Sequence, residues 1–102
     1  MHNKVEFFKT HLFVTWLESQ TAKVRSQIDG RLERIQQFGH YGHRKKLSAV
    51  LCELKFNNGT RIYYTEKMMG DLTLILILGG HKNGQDRDIK RAQKIAEKIH
   101  CD

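Results

Sequence analysis

Proline is absent from this chain of 102 residues, and only two cysteines occur in it. Without proline, helices can run unbroken, and most turns must come from the eight glycines. Cys52 falls in a stretch with strand character and Cys101 near the end of the sequence, which is too few and too badly placed for a disulfide framework. We therefore expect the reduced thiols of a cytosolic protein.

Long apolar runs are lacking as well. The longest, Leu72–Leu78, suits one buried strand and falls far short of a membrane span. The first residues, MHNKVEFFK, show neither the apolar stretch nor the small-residue cleavage site of a signal peptide. The sequence thus predicts a cytoplasmic protein with no membrane partner.

Charge is abundant and unbalanced. The net charge is +7, the pI is about 9.7, and 39% of the residues are hydrophobic. These values predict one folded domain over residues 1–102 with a positive potential across much of its surface. No segment reads as a separate basic membrane anchor, so nucleic acid and an acidic protein are the favoured partners.

The first third of the chain predicts a strand at Lys4–Phe8 followed by two helices that form a hairpin. Thr10 is expected to cap the first helix. The second helix is expected at Thr21–Phe38, because its apolar residues recur at intervals of three or four, which defines a single buried face. These residues are Val24, Ile28, Leu32, Ile35 and Phe38.

The segment Gly39–Lys46, GHYGHRKK, reads as a loop. His40 and His43 have no fixed common face in a loop, and no Cys, Asp or Glu joins them at ligand spacing, so no metal site is predicted. Two interpretations stay open for this segment: a plain solvated loop, or a mobile basic loop that contacts phosphates. In the second case the contacts are Arg44, Lys45 and Lys46.

Two alternating stretches, Ser48–Phe56 and Arg61–Thr65, predict a β-hairpin. In the first stretch Val50, Cys52 and Leu54 are expected on the apolar face. A three-residue loop with Gly59 in the left-handed conformation pairs Lys55 with Arg61 and Glu53 with Tyr63, and only this register keeps one face apolar. Two cations directly opposite each other repel. Such a pair is tolerable when an anion binds between them, although both side chains can also splay into water.

The apolar run Leu72–Leu78 must be covered on both faces, so it is expected to be a central strand. Gly79 and Gly80 are expected to end it, and Asn83 to cap a final helix with Asp86 in capping-box spacing. The sequence has neither a Walker A motif nor a dinucleotide fingerprint, so no cofactor is predicted. The helix has an apolar face of Ile89, Ala92, Ala96 and Ile99 and a basic face of Lys90, Arg91, Lys94 and Lys98.

Three local strings add a resemblance that covers Val5–Ile99. RIYYTEKMMGDLTLILILGGHKNGQDRDIKRA is similar to a pattern in which an R-[IV]-Y-F strand and an apolar strand lead into G-G-D-K-[ST]-x-Q-x-[DR]-D-I-x-x-A. GHYGHRKKLSAVLCELK is similar to G-N-F-G-D-x-K-x-[VL]…[SY]-E-L-R, and THLFVTWL to T-x-x-F-x-x-W-L. In this order they resemble the RelE/ParE superfamily of type II toxins, and within it the HigB-like branch of addiction module killer proteins. The resemblance implies an α+β fold, βααβββα, in which an N-terminal helix hairpin and a C-terminal helix pack around a small twisted sheet.

The resemblance also implies a function. Such toxins stop growth, normally by cutting mRNA in the ribosomal A site, and are neutralised by a cognate antitoxin, often a helix-turn-helix protein encoded next to them. Basic residues on the sheet bind and polarise the scissile phosphate. The family's strand Arg falls on Lys55, the Arg of R-[IV]-Y-F on Arg61, and the Lys of G-G-D-K on Lys82. Tyr63 lies in the same motifs, as do the candidate RNA contacts Gln85 and Arg87.

Two departures from the family pattern alter the expected chemistry. Lys55 keeps the charge of the usual Arg but not its bidentate fork. His81 stands where the family has Asp, and so does His43 in the earlier loop. Each change removes a potential anion and adds a side chain that titrates near neutral pH. Cleavage without a metal needs charge stabilisation at phosphorus, which Lys55, Arg61 and Lys82 are expected to supply. For proton transfer His81 is one candidate and Glu53, beside Tyr63, is another.

Two further function classes stay open. A ParE-like inhibitor of DNA gyrase shares the fold and has no nuclease chemistry. A non-enzymatic nucleic-acid-binding module belongs to a third class. A cationic cluster on one sheet face favours the nuclease, whereas the lack of aromatics in RNP spacing and of a helix-turn-helix signature disfavours the binding module.

Overall fold

The computed structural model describes residues 4–101, in which a five-stranded sheet packs against three α-helices. The α+β class and the order of the three helices along the chain agree with the sequence. No helix in this part of the chain is long and apolar enough to cross a membrane. The elements are β1 (Val5–Lys9), α1 (His11–Glu18), α2 (Ala22–Phe38), β2 (Arg44–Lys46), β3 (Cys52–Lys55), β4 (Thr60–Met69), β5 (Asp71–His81), a 3₁₀ turn (Lys82–Gly84) and α3 (Gln85–Ile99).

The sheet has the order β1-β5-β4-β3-β2. β1 is parallel to β5, and each of the other neighbouring pairs is antiparallel. The apolar strand β5 therefore lies between two others, and Leu74–Leu78 is buried. Its expected interior position is confirmed.

Threonine side chains begin both N-terminal helices. The Thr10 hydroxyl accepts a hydrogen bond from the Phe13 N–H at 3.1 Å and donates one to the Ile77 carbonyl at 2.7 Å, which fastens α1 to β5. The Thr21 hydroxyl accepts from the Val24 N–H at 3.2 Å. Both helix starts therefore agree with the sequence to within a residue.

The sheet separates two apolar layers. Ile28, Leu32 and Ile35 of α2 pack under one face, while Ala92 and Ala96 of α3 pack on the other. The expected stripe of α2 is wrong at its end, because Phe38 is 61% exposed. The helix stops there, at Gly39 with φ +70°, so its last side chain has no neighbouring layer to enter.

A buried arginine corrects the interpretation of Gly39–Lys46 as a loop. Arg31, on the inner side of α2, donates from Nε to the Tyr41 carbonyl at 2.9 Å and from Nη2 to the His43 carbonyl at 2.6 Å. It also donates to the carbonyl of Lys55. Held in this way, the chain enters β2 at Arg44 and pairs with β3. The basic tripeptide is an edge strand rather than a mobile loop.

The hairpin strands also differ from their expected bounds. Ser48–Val50 is a bend, where the N–H groups of Leu47 and Ser48 both donate to the Leu51 carbonyl at 2.8 and 3.2 Å. β3 begins only at Cys52, so Val50 is not on the face of Leu54 but packs with the α3 layer. A strand that starts after a turn does not carry its alternation back through the turn.

Gly79 and Gly80 do not end β5, which runs on to His81. A Cβ atom on Gly79 would lie 2.1 Å from the Trp16 ring, and one on Gly80 2.2 Å from the Asp88 carboxylate. The glycines are therefore required by close neighbours on the two faces of the strand, not by a turn.

The start of α3 is also different from the expectation. Asn83 does not cap the helix, which begins at Gln85 after a Gly84 N-cap without a side-chain hydrogen bond. Instead, the His81 Nδ1 accepts from the Asn83 N–H at 3.4 Å and so begins the 3₁₀ turn before the helix. The helix therefore starts one residue later than a cap at Asn83 would place it, because β5 runs to His81 and a 3₁₀ turn follows.

Candidate functional site

The β3–β4 hairpin has the predicted register. Lys55 is opposite Arg61 and Glu53 is opposite Tyr63. Gly59 has a φ of +93°, as the three-residue loop requires. Two cations therefore stand side by side at the end of the hairpin.

β5 brings two further predicted residues to the same end of the sheet. Because it runs antiparallel to β4, Gly80 lies opposite Arg61 and His81 opposite Thr60. The N–H of Lys82 donates to the Gly59 carbonyl at 2.9 Å. The backbones of Lys55, Arg61, His81 and Lys82 thus meet at one end of the sheet, where the His81 and Lys82 side chains are exposed.

His81 has structural contacts as well as exposure. Besides starting the 3₁₀ turn, its ring lies over the backbone of Gly59, where a Cβ atom would come within 2.4 Å of the His81 Nε2. Since Nδ1 accepts a hydrogen bond, the neutral ring carries its proton on Nε2. The imidazole is therefore held over the β3–β4 turn, at the same end of the sheet as the cationic pair.

Lys55 and Arg61 lie on the sheet face that packs against α3. The sequence predicts an open polar face here, but α3 covers the middle of it. Glu53 and Tyr63 have no exposed surface. The Gln85 amide donates to the Glu53 Oε2 at 2.8 Å, and the Lys55 ammonium lies 3.9 Å from the Glu53 Oε1. A set of polar side chains is thus enclosed between the first turn of α3 and the ends of β3, β4 and β5. We call it the sheet-end cluster, made of Glu53, Lys55, Arg61, Tyr63, Gln85 and Asp88.

Three atoms of the sheet-end cluster are buried without a hydrogen-bond partner among residues 4–101: Glu53 Oε1, Arg61 Nε and the Tyr63 hydroxyl. Burial and the neighbouring carboxylate of Glu53 raise the pKa of Tyr63 far above its ordinary value. Tyr63 therefore keeps its proton at physiological pH, and its hydroxyl can donate a hydrogen bond. Unsatisfied buried polar groups are costly, so each of these atoms calls for a bound water, an ion or a catalytic role.

Asp88 is a member of the cluster that the sequence interpretation missed. Its carboxylate lies against Gly80, which is the cross-strand neighbour of Arg61. Burial raises its pKa, against the opposing effect of Arg87 and Arg91. Gly80 was the available signal, since a strand glycine often marks a close approach.

The predicted RNA contacts fall into two separate groups. Near the sheet-end cluster, Arg87 has an 85% exposed side chain, whereas the Gln85 amide is engaged by Glu53. Arg44, Lys45 and Lys46 lie on β2, across β3 from Arg61. The structure therefore brings together Lys55, Arg61, Tyr63, His81, Lys82 and Gln85, and leaves the β2 residues as a second basic surface.

No group of three His, Cys, Asp or Glu side chains within residues 4–101 is placed to hold a metal ion. Lys55 and Arg61 within the sheet-end cluster, and the exposed Lys82 and Arg87 near it, suit an anionic ligand.

Comparison with known proteins shows the fold. No family model matches the chain. An uncharacterized protein of Haemophilus influenzae is 29% identical over 96 residues, which cover 93% of this chain and 96% of that protein. The crystal structure of the isolated E. coli RelE toxin superimposes with a TM-score of 0.57 at 15% identity, covering 88% of this chain and 98% of that one. A chain of the intact E. coli RelBE toxin–antitoxin complex gives a TM-score of 0.59 at 15% identity, covering 78% and 96%. The chain has a RelE-like α+β fold.

Proposed function

We propose that this chain is the toxin of a type II toxin–antitoxin module, of the HigB-like branch of the RelE/ParE superfamily. We further propose that it cuts mRNA on the ribosome without a metal ion and works in the cytoplasm. The observation that carries the proposal is the opposed pair Lys55 and Arg61, next to His81 and Lys82, at one sheet end of a RelE-like fold.

The cationic pair is suited to a phosphodiester. Two cations held opposite each other in a sheet repel, and an anion between them removes that cost. During cleavage the 2′-oxygen attacks phosphorus, negative charge grows on the phosphoryl oxygens, and the bond to the 5′-oxygen breaks. Lys55 and Arg61, with Lys82 at the rim, stabilise that charge. Preorganised donors of this kind contribute the largest part of many rate enhancements.

Proton transfer is assigned to the groups that face the same end. His81 is exposed, and in its protonated imidazolium form it can give a proton to the leaving 5′-oxygen. Glu53, the other proton acceptor expected from the sequence, has no exposed surface, so in this arrangement it positions the Lys55 ammonium and does not contact the 2′-hydroxyl. Tyr63 is fully buried beneath α3, opposite Glu53, and in this arrangement it packs under Lys55 and Arg61 without contacting the RNA.

The proposed partners follow from the surface. A net charge of +7 favours rRNA and mRNA, and it equally favours an acidic antitoxin. The RelBE complex is a toxin–antitoxin assembly built on the same fold, which supports an antitoxin partner here.

The test measures growth and RNA cleavage together. Induced alone in a bacterium, the protein should arrest growth, and the neighbouring antitoxin gene should restore it. Arg61→Ala and Lys82→Ala should each reduce cleavage of ribosome-bound mRNA by roughly 100-fold or more, equivalent to about 2.7–4 kcal/mol of transition-state stabilisation. Lys90→Ala, an exposed cation on α3, should change it only a few-fold.

Circular dichroism and thermal melting should confirm that all three variants remain folded. Equal, small losses in the three variants would show that there is no defined site. Normal growth at full soluble expression would contradict the toxin proposal, and inhibition of DNA supercoiling with intact mRNA would instead favour the gyrase inhibitor.

A further inference from the structure

One edge of the sheet has a step, because β4 extends beyond Cys52, the first residue of its neighbour β3. β3 pairs with β4 only at Arg61–Tyr64, whereas β4 runs beside β5 as far as Met69. Within residues 4–101, no strand pairs with Glu66–Met69 on the side away from β5. In antiparallel pairing, alternate residues point their N–H and C=O groups away from the neighbouring strand. This open edge, which we call the β4 step, therefore presents backbone groups that can pair with another chain.

The β4 step is poorly protected. Edge strands of soluble proteins are usually guarded by outward charges. Here the Lys67 ammonium is turned inward and donates to the Ile99 carbonyl at 3.1 Å, and the Glu66 carboxylate lies 3.8 Å from Arg44. Met68 and Met69 are 68% and 58% exposed. The β4 step thus exposes two methionine side chains and backbone N–H and C=O groups that are unpaired within residues 4–101. Its two charged side chains, Glu66 and Lys67, are held by Arg44 and the Ile99 carbonyl.

A basic groove of about 320 Å³ adjoins the start of the step. Arg44, Lys45 and Lys46 of β2 contribute to its lining, together with Thr65 and Glu66 of β4. With three cations and one carboxylate among these residues, the groove is electropositive and attracts carboxylates.

Arg44 is held in position within this groove. Its guanidinium lies 3.8 Å from the centre of the Tyr41 ring and donates to the Tyr64 hydroxyl at 3.4 Å. The side chain is nevertheless 45% exposed. A guanidinium fixed by stacking loses little freedom when it binds a carboxylate, and its fork matches the two oxygens.

We infer that the β4 step and the basic groove together bind an extended acidic segment of a protein partner. The segment adds as a strand beside Glu66–Met69 and places carboxylates against Arg44 and Lys46. The inference rests on the proposed function for the source of the segment, which is the antitoxin. Peptide is favoured over RNA because a phosphodiester chain does not pair with alternating N–H and C=O groups, and because Arg44 already covers the Tyr41 ring.

The test uses the purified full chain and a synthetic peptide of about seven residues, the length of a typical strand, in which Glu and Val alternate. Isotope-edited NMR should show shifted amide signals at residues 44–46 and 66–69, with slower exchange of amides in the step. Arg44→Ala and Lys46→Ala should each weaken binding about tenfold, whereas Lys90→Ala should not. A peptide with N-methyl groups along its pairing edge should bind far more weakly than the parent.

Several results would overturn the inference. These are no binding at about 1 mM peptide, shifts centred on Lys55 and Arg61, equal binding of a peptide with Lys in place of Glu, and displacement of the peptide by oligouridine that shifts the same residues. The measurement is independent of growth arrest and of mRNA cleavage. Peptide binding without either activity would leave the surface established and remove the antitoxin as its source.

Discussion

At the scale of single residues, the close approaches to β5 shape the candidate site. Gly79 accepts the Trp16 ring from α1 on one face, and Gly80 accepts Asp88 from α3 on the other. The β-bulge just before them adds Ile77 to β5, since Tyr63 pairs with Leu78 while Tyr64 pairs with Leu76. The extra residue shifts the alternation of the strand, so that Gly80 faces α3 beside Arg61.

Gly79→Ala should therefore destabilise the fold. The added methyl group would stand 2.1 Å from the Trp16 ring, and relief of such overpacking typically costs about 1–3 kcal/mol in the free energy of unfolding. Urea denaturation measures the change. Gly30→Ala is the matched control, because Gly30 lies within α2 with its nearest Cβ neighbour at 3.7 Å. This control should stabilise by about 0.5–1 kcal/mol. Equal effects of the two substitutions would contradict the packing described for β5.

At the scale of elements, α3 closes the sheet-end cluster with its first turn. A carboxylate in the first turn of a helix is normally favourable because of the helix dipole. Asp88 is nevertheless turned toward Gly80 and has a side chain only 15% exposed. Burial raises its pKa, so desolvation outweighs the favourable charges around it.

The raised pKa predicts a pH-dependent effect of Asp88→Asn. Protonated Asp88 favours the folded state, so its contribution is present below the pKa of the unfolded chain, at a pH of about 4, and is lost as the pH rises through the folded value. The ionised side chain therefore costs stability at pH 7. Asp88→Asn should raise the free energy of unfolding at pH 7, and the difference should shrink toward pH 4.

Urea denaturation at the two pH values measures this difference. Asp86→Asn, a change at an exposed position of the same helix turn, serves as the control and should have little effect. A difference that grows as the pH falls would refute the assignment of Asp88 as a desolvated carboxylate.

At the scale of the whole molecule, the 18 lysines and arginines include Lys82 and Arg87 beside the sheet-end cluster and the three cations of β2. With a net charge of +7, the protein should bind single-stranded RNA in a salt-dependent manner. If about five phosphates are neutralised, the logarithm of the affinity should fall with the logarithm of salt concentration at a slope of about −3.5. Filter binding across a salt series measures it. A slope near zero would favour the gyrase or protein-partner functions.

Local patterns allowed part of this structure to be predicted. Gly59 and the alternation on both sides of it define the register of Lys55 and Arg61, and Thr10 and Thr21 mark helix starts, because each signal acts within a few residues. The failures depend on distant contacts. β2 forms because Arg31 binds the carbonyls of Tyr41 and His43. Glu53 and Tyr63 are buried because α3 returns to cover them, and no pattern within their own strands contains that information.

The parallel pairing of β1 with β5 has a consequence for synthesis. Thr10, just after β1, bonds to a carbonyl 67 positions further along the chain. At about 5–20 residues per second, roughly 3–13 seconds separate the emergence of these two partners from the ribosome. β5 also supplies Gly80 and His81 beside Arg61. A nascent chain therefore has neither a complete sheet nor an assembled sheet end until its last third is made. The proposed RNA-cleaving site therefore cannot assemble before most of the chain has been synthesised.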